Sequence, residues 1–126
     1  MRQFKIKPFY LRLNEGEKIN VTPLKSGGLL MNIDSHCITK FAIKGNNLNK
    51  LFEFAKNVIT SNKRDELELV NGKDLLHLIY LPDSNQCLSL KMYDGDDGVS
   101  NAVYIKSNET ATFLHKITDV NLIEIF

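Results

Sequence analysis

Short stretches in which apolar and polar residues alternate make up most of the chain, and turn-forming residues separate them. The turn signals are N-E-G-E (14–17), S-G-G (26–28), N-G-K (71–73), P-D-S-N (82–85) and D-G-D-D-G (94–98). Alternation over such lengths, bounded by such turns, is typical of antiparallel hairpins. The pattern predicts strands near residues 3–13, 17–25, 28–34, 37–44, 66–70, 75–81, 87–93 and 99–106, and a further strand over 120–125.

Two segments have the period of a helix instead. The first follows Asn46, and its apolar positions are Leu48, Leu51, Phe52, Ala55, Val58 and Ile59. The second follows Asn108, and the same relative places are occupied by Thr110, Phe113, Leu114 and Ile117. Residues three and four positions apart lie on one face of a helix, so these residues are predicted to face a sheet.

Both predicted helices follow nearly the same four letters, I-K-G-N at 43–46 and I-K-S-N at 105–108. We interpret each tetrapeptide as the junction at which a strand ends and a helix begins. The Gly or Ser is expected to turn the chain. Asn46, Ser107 and Asn108 are suitable N-caps, because their side chains can accept hydrogen bonds from free amides of the first turn.

Four strands and a helix therefore occur in the same order twice. We predict an α+β fold of antiparallel sheets, built from two pseudo-repeated four-strand-plus-helix units, with both helices packed on the sheet. The units comprise about residues 1–62 and 63–126. A chain of 126 residues has the usual size of one domain, so 1–126 is expected to form a single domain. The shared tetrapeptide has two explanations, common descent of the halves or convergence on a favourable turn.

Two strands carry finer expectations. Residues 75–81 are almost wholly apolar, which predicts a central strand covered on both faces. In the strand over 37–44, alternation places one set of side chains on the opposite face from Lys40, Ala42 and Lys44. That set is Cys37, Thr39, Phe41 and Ile43.

The composition is that of a globular protein, since 43% of the residues are hydrophobic and 25% are charged. No apolar run reaches the roughly 18 residues that a spanning helix needs. The N-terminal segment MRQFKIKPFY lacks the apolar stretch of a signal peptide. We therefore expect a cytoplasmic protein without membrane association, in which Cys37 and Cys87 are separate thiols.

Charge is divided unevenly between the two halves. Residues 1–62 contain ten Lys or Arg and four Asp or Glu, whereas residues 63–126 contain six and eleven. Such asymmetry is typical of a face that binds a polyanion, an acidic face that binds a partner, or both. It is equally compatible with attraction between the halves, within one molecule or between two copies.

Motifs for catalysis, cofactors and metals are not recognisable in the sequence. The loop D-G-D-D-G at 94–98 resembles a calcium loop, but the twelfth position from Asp94 is Ile105, where a bidentate Glu is required. The histidines and cysteines lack metal-binding spacing. No G-K-[ST] follows S-G-G, and no G-x-S-x-G is present. We expect no enzyme, no cofactor and no metal site.

Basic and aromatic residues interleave on the predicted strands of the first half. Pro8 interrupts the first strand, and a shift of phase there would place Lys5, Lys7, Tyr10 and Arg12 on one face. The candidate nucleic-acid-binding residues of this half are Lys5, Lys7, Tyr10, Arg12, Lys18, Lys25, Lys40 and Lys44. Lysines neutralise phosphates, and exposed aromatic rings stack on unpaired bases. The alternative is that the lysines only solvate the outer face and protect the edges of a sheet.

The order of four strands and a helix, given twice, resembles that of the PC4, Whirly and PUR-like single-stranded nucleic-acid binders. The segment from about 28 to 60 is similar to their closing strands and helix, and 87–118 is similar to a second copy. The resemblance implies contacts with bases and phosphates from the strands before each helix. The implied residues are Lys40, Lys44, Lys91, Tyr93, Tyr104 and Lys106. The acidic second half departs from this pattern, which favours binding by the first half.

The sequence therefore predicts a non-catalytic protein that binds single-stranded nucleic acid through a basic and aromatic sheet face of its first half. The alternative is a protein-interaction module, such as a phage or mobile-element inhibitor or accessory protein. Its partner would be another protein or a second copy of the chain, in a homodimer formed through the oppositely charged halves.

Overall fold

The computed structural model describes residues 3–4, 8–13, 16–120 and 124–125. These residues form ten strands and two helices. The first unit comprises β1 (Gln3–Phe4), β2 (Phe9–Arg12), β3 (Lys18–Pro23), β4 (Leu29–Asp34), β5 (Ile38–Ile43) and α1 (Asn46–Ser61). The second comprises β6 (Asp65–Asn71), β7 (Asp74–Tyr80), β8 (Leu88–Asp94), β9 (Val99–Ile105), α2 (Ser107–Val120) and β10 (Glu124–Ile125). The predicted α+β fold and its two strand-plus-helix units are confirmed.

Each unit contains an antiparallel four-stranded sheet in which neighbours in sequence are neighbours in space. The first sheet has the order β2-β3-β4-β5 and the second has the order β6-β7-β8-β9. The strands β1 and β10 pair with each other in a third, two-stranded sheet. The two ends of the described chain therefore meet, although they belong to different units.

Three predicted strand boundaries or environments are wrong. The strand expected over 3–13 is divided into β1 and β2, and Pro8 lies outside both. Helix α2 continues to Val120, so the last strand does not begin there. Strand β7 is an interior strand as predicted, but only one of its faces is covered, since Leu75, His77 and Ile79 are only half-buried.

The buried residues of both units form one contiguous hydrophobic cluster. The strands contribute every second side chain to this cluster. Thr39, Phe41 and Ile43 are fully buried as predicted, whereas Cys37 is half-buried. The helical faces that were predicted to meet the sheets are also buried, through Leu51, Phe52, Ala55, Phe113, Leu114 and Ile117. Burial of such side chains stabilises each by about 1.5–3 kcal/mol, so the common core holds the units together.

Contacts across the units involve the helices as well. The ring of Phe113 in α2 meets that of Phe9 in β2 edge to face, with 6.2 Å between centroids. Helix α1 contacts α2 and strand β6. The connection from α1 to β6 is short, and the hydroxyl of Tyr80 donates a hydrogen bond to Asn62 Oδ1 within it. Helices and strands of each unit therefore contact those of the other.

A buried asparagine ties the hairpin between β4 and β5 to the second sheet. The side chain of Asn101 in β9 is 4% exposed. Its Nδ2 donates to the carbonyl oxygen of Cys37 at 3.0 Å and to Thr39 Oγ1 at 3.2 Å. Its Oδ1 accepts from Ser35 Oγ at 2.9 Å. A buried amide is tolerated when its donors and acceptors are paired in this way.

The strand-to-helix junctions lie where they were predicted, but asparagine does not cap the first helix. Gly45 occupies the N-cap position with φ of 57°, and no side chain caps the amides there. This left-handed conformation favours glycine and explains the small residue of I-K-G-N. Asn46 is instead the first residue of α1, and in the second unit α2 already begins at Ser107.

Other predictions of local structure are confirmed. Cys37 and Cys87 are free thiols. The loop D-G-D-D-G is the turn between β8 and β9, and Asp94 Oδ1 accepts from the backbone amides of Asp96 and Asp97 at 3.1 and 3.3 Å. Neither helix within the described residues is long and apolar enough to cross a membrane.

Candidate nucleic-acid interface

The outward side chains of β2–β5 form a surface that we call the first outer face. Strand register arranges them in three rows. One row contains Arg12, Lys18, Asp34 and Ile38. The next row contains Tyr10, Asn20, Asn32 and Lys40. The last row contains Thr22, Leu30 and Ala42.

Tyr10 is the aromatic centre of the first outer face. Its side chain is 55% exposed. The guanidinium carbon of Arg12 lies 5.9 Å from the centroid of the ring, and the Nζ of Lys18 lies 5.8 Å from it. Both cations lie over the ring, at distances that allow cation–π attraction. An exposed aromatic ring flanked by cations offers stacking and charge neutralisation at one place.

The two cations belong to the row on one side of Tyr10. The row on its other side contains only the uncharged residues Thr22, Leu30 and Ala42. Beyond this row lie the exposed side chains of Lys25, in the turn between β3 and β4, and Lys44, directly after β5. Cationic side chains therefore stand at both ends of the first outer face, with Lys40 between them.

Two asparagines beside Tyr10 were missed by the sequence analysis. Asn20 is paired with Tyr10 across β2 and β3, and Asn32 is paired with Asn20 and with Lys40. The Oδ1 of Asn32 is buried, and none of the described residues gives it a hydrogen bond. Buried polar atoms normally have a partner. Alternation within each strand hints at these positions, but only the register shows that they share a row with the tyrosine.

The first outer face contains three cations and one carboxylate, Asp34, which is paired with Lys18. Asp34 also lines a cavity of about 370 Å³ at this end of the sheet, together with Arg12 and Lys18. The cavity is lined mainly by polar side chains and backbone at the sheet end. Glu17 also lines this cavity, so its two carboxylates balance the charges of Arg12 and Lys18.

The corresponding surface of the second sheet, the second outer face, differs in character. It is formed by the outward side chains of β6–β9: Glu66, Glu68, Val70, Leu75, His77, Ile79, Ser89, Lys91, Tyr93, Ser100, Ala102 and Tyr104. Tyr93 and Tyr104 are 42% and 48% exposed. Glu66 and Glu68 on β6 outnumber the single cation Lys91, and His77 Nε2 lies 3.3 Å from a Glu66 oxygen.

The structure thus divides the predicted site residues into separate groups. Tyr10, Arg12, Lys18 and Lys40 share the first outer face, and Lys25 and Lys44 lie at one end of it. Lys91, Tyr93 and Tyr104 lie on the second outer face, and Lys106 follows β9. Both sheets turn their inner faces to the common core, so their outer faces are distinct surfaces. Lys5 and Lys7 lie outside the described residues.

Titratable groups in the interior do not form a reactive constellation within the described residues. Burial, together with the carboxylate of Asp83, raises the pKa of the Cys87 thiol. Burial, Cys87 and Asp83 raise the pKa of the Tyr80 hydroxyl. A thiol with a raised pKa stays protonated and is a poor nucleophile. The described residues contain no group of three or more His, Cys, Asp or Glu side chains that would hold a metal ion.

No protein-family model matches the chain, and a search of the curated proteins found no match either.

Proposed function

We propose that this protein binds single-stranded nucleic acid through its first outer face and that it does so without catalysis. The observation that carries the proposal is Tyr10, a half-exposed ring on the sheet surface with Arg12 and Lys18 within 6 Å of its centroid. Stacking requires an open aromatic face, and binding to the backbone requires cations near it. The first outer face supplies both on a rigid sheet.

In this proposal an unpaired base stacks on Tyr10, on the side away from the two cations. Arg12 and Lys18 neutralise phosphates at one end of the face, and Lys25 and Lys44 do so at the other. A stacked base contributes about 1–3 kcal/mol, and stacking tolerates any base because each has a flat π surface. A duplex hides these surfaces, so single strands are preferred.

Asn20 and Asn32 support hydrogen bonding to the edge of the bound base. A carboxamide both donates and accepts, as base edges do. We also propose a cytoplasmic location, which the two free thiols support.

The protein-interaction alternative is supported by a different surface. The second outer face exposes Val70, Tyr93 and Tyr104, and apolar surface of this kind is typical of protein contacts. An inhibitor or accessory protein, of a phage or mobile element for example, would use that face. The two functions therefore depend on different residues and can be separated by substitution.

The test is a titration of labelled single- and double-stranded oligonucleotides by fluorescence anisotropy at two salt concentrations. Tyr10→Ala should weaken single-strand binding by about 1–3 kcal/mol, which is roughly five- to 150-fold. Tyr104→Ala, a change of the same kind on the second outer face, is the matched control and should leave affinity unchanged. Absence of single-strand binding by the unaltered protein at about 50 mM salt would overturn the proposal, because ionic contacts are strong at low salt.

A further inference from the structure

The second outer face combines exposed apolar side chains with separated charges. Val70, Tyr93 and Tyr104 are 57%, 42% and 48% exposed. Half-buried Leu75 lies between Val70 and Tyr93 in one row, and half-buried Ile79 lies in the row of Tyr104, beyond the row of Glu68, His77 and Lys91. Val70, Leu75 and Tyr93 therefore form a continuous apolar row across three strands, and exposed apolar surface of this kind is typical of a place where another molecule binds.

The charges of this face lie on opposite sides of β7. Glu66 and Glu68 project from β6, and Lys91 projects from β8, two strands away. His77 stands between Glu68 and Lys91 in the same row. The acidic and basic sides are therefore about 10 Å apart, since neighbouring strands are about 4.8 Å apart.

We propose that the second outer face binds the same face of a second copy of the chain, about a two-fold axis that runs along β7. Such an axis places β6 of one copy over β8 of the other. In each row, the residue of β6 then faces the residue of β8: Glu68 faces Lys91, and Val70 faces Tyr93. Leu75, His77 and Ile79 lie on the axis and face their own copies. The three central strands are thus complementary to themselves in charge at Glu68 and Lys91 and in apolar surface along the row of Val70, Leu75 and Tyr93, as a two-fold interface requires.

Charge also selects this axis over the one at right angles to it. A two-fold axis across the strands through the row of His77 would place each strand over itself, with Glu68 against Glu68 and Lys91 against Lys91. Like charges in contact are unfavourable, which excludes that arrangement. The axis along β7 keeps the strands of the two sheets aligned, which is a common packing of sheets.

The size of the face sets the expected strength of the dimer. The axis along β7 brings β6, β7 and β8 of the two copies into contact and leaves β9 outside, so the facing area is three strands of seven residues, roughly 23 Å by 15 Å, which is the size of a weak interface. A dissociation constant on the order of micromolar is therefore expected. The dimer does not depend on the nucleic-acid function, and it leaves the first outer face of each copy free.

The experiment is sedimentation velocity over a range of protein concentrations. Glu68→Lys and Lys91→Glu each replace two attractive contacts in the dimer by two repulsive ones, and each should raise the dissociation constant about tenfold or more. An equimolar mixture of the two variants should form a heterodimer with nearly the original affinity, because each new charge then faces its complement. Distortion of a single chain would not be relieved by mixing.

Lys40→Glu reverses a charge on the first outer face and is the matched control, so it should leave the dimer unchanged. Two results would overturn the proposal. The first is an unaltered protein that remains monomeric at about 100 μM, well above a micromolar dissociation constant. The second is a mixture of the two variants that associates no more tightly than either variant alone.

Discussion

The two units have the same strand order and register but differ at corresponding positions of their outer faces. The two sheets can be aligned by their strand pairs. Tyr10 then corresponds to Glu68, Arg12 to Val70, Lys18 to Leu75 and Lys40 to Ala102. None of the first unit's three cations on this face is repeated. The inner positions remain apolar in both sheets, as in Met31 and Leu90, which are both fully buried.

This difference shows which constraint acts on each face. Inner residues must fill a common core, so both units satisfy the same requirement for size and polarity. Outer residues are free of that requirement and are available for binding. Even the polar exceptions inside correspond, because Thr39 and Asn101 occupy equivalent positions, 62 residues apart, and are hydrogen-bonded to each other. The units therefore meet at equivalent points of their sheets.

The largest expected effect compares how much the two helices contribute to the free energy of unfolding. Phe52 in α1 and Phe113 in α2 are 5% and 1% exposed. Replacing either by Ala should lower the free energy of unfolding by roughly 3–5 kcal/mol, because a large buried ring is lost and a cavity remains. Urea denaturation followed by circular dichroism measures the change, with Tyr104→Ala on the exposed surface as the control.

Since the units share one core, both variants should unfold in a single transition. Two separate transitions, with each substitution affecting only one of them, would show that the units are independent. A loss below about 1 kcal/mol would show that the rings do not contribute to the core.

The next effect concerns the polar contact between the units. Asn101→Ala should destabilise the protein by about 1–3 kcal/mol, because the carbonyl of Cys37 and the hydroxyls of Ser35 and Thr39 lose their partner in a buried place. Asn20→Ala, on the first outer face, should change stability by less than about 0.5 kcal/mol. The same urea experiment compares them, and equal losses would contradict the structural role assigned to Asn101.

The smallest effect distinguishes the charges of the two outer faces. Replacing Lys18 and Lys40 by Gln should flatten the dependence of log K for single strands on log salt by up to about 0.7 per lost contact. Lys91→Gln on the second outer face should leave that slope unchanged. Anisotropy titrations at several salt concentrations give the slopes. If Lys91→Gln flattened the slope as much per residue as the substitutions of Lys18 and Lys40 do, both outer faces would bind nucleic acid.

The sequence predicts the parts of the fold that depend on local pattern. Helical spacing located α1 and α2, and alternation identified Thr39, Phe41 and Ile43 as inward-facing, because periodicity reports which side of an element is buried. The N-cap of α1 was wrong, since two residues of the I-K-G-N junction suit a helix start and pattern alone does not choose between Gly45 and Asn46. The uncovered face of β7 was missed because partly exposed Leu75 and Ile79 read as buried residues.

The candidate site was predictable only in part, for a related reason. Tyr10, Lys18 and Lys40 were recognised by residue type, whereas Asn20 and Asn32 were not. Their place beside the tyrosine depends on the register of three hairpins, which residue type does not report. The role of Asn101 depends on packing between units that are 62 residues apart at this point, and no local pattern encodes that contact.

The short connection between the units has a consequence for protease digestion. Lys63 and Arg64 are exposed between the end of α1 and the start of β6. Trypsin cleaves after lysine and arginine, so it should cut the chain at this connection. Hydrolysis there would divide the polypeptide into two fragments. Three contacts would still join the fragments: Phe9 with Phe113, Thr39 with Asn101, and Asn62 with Tyr80. A nicked molecule should migrate as two bands in denaturing electrophoresis and as one particle in native buffer. Covalent continuity thus brings the halves together during synthesis, and burial keeps them together afterwards.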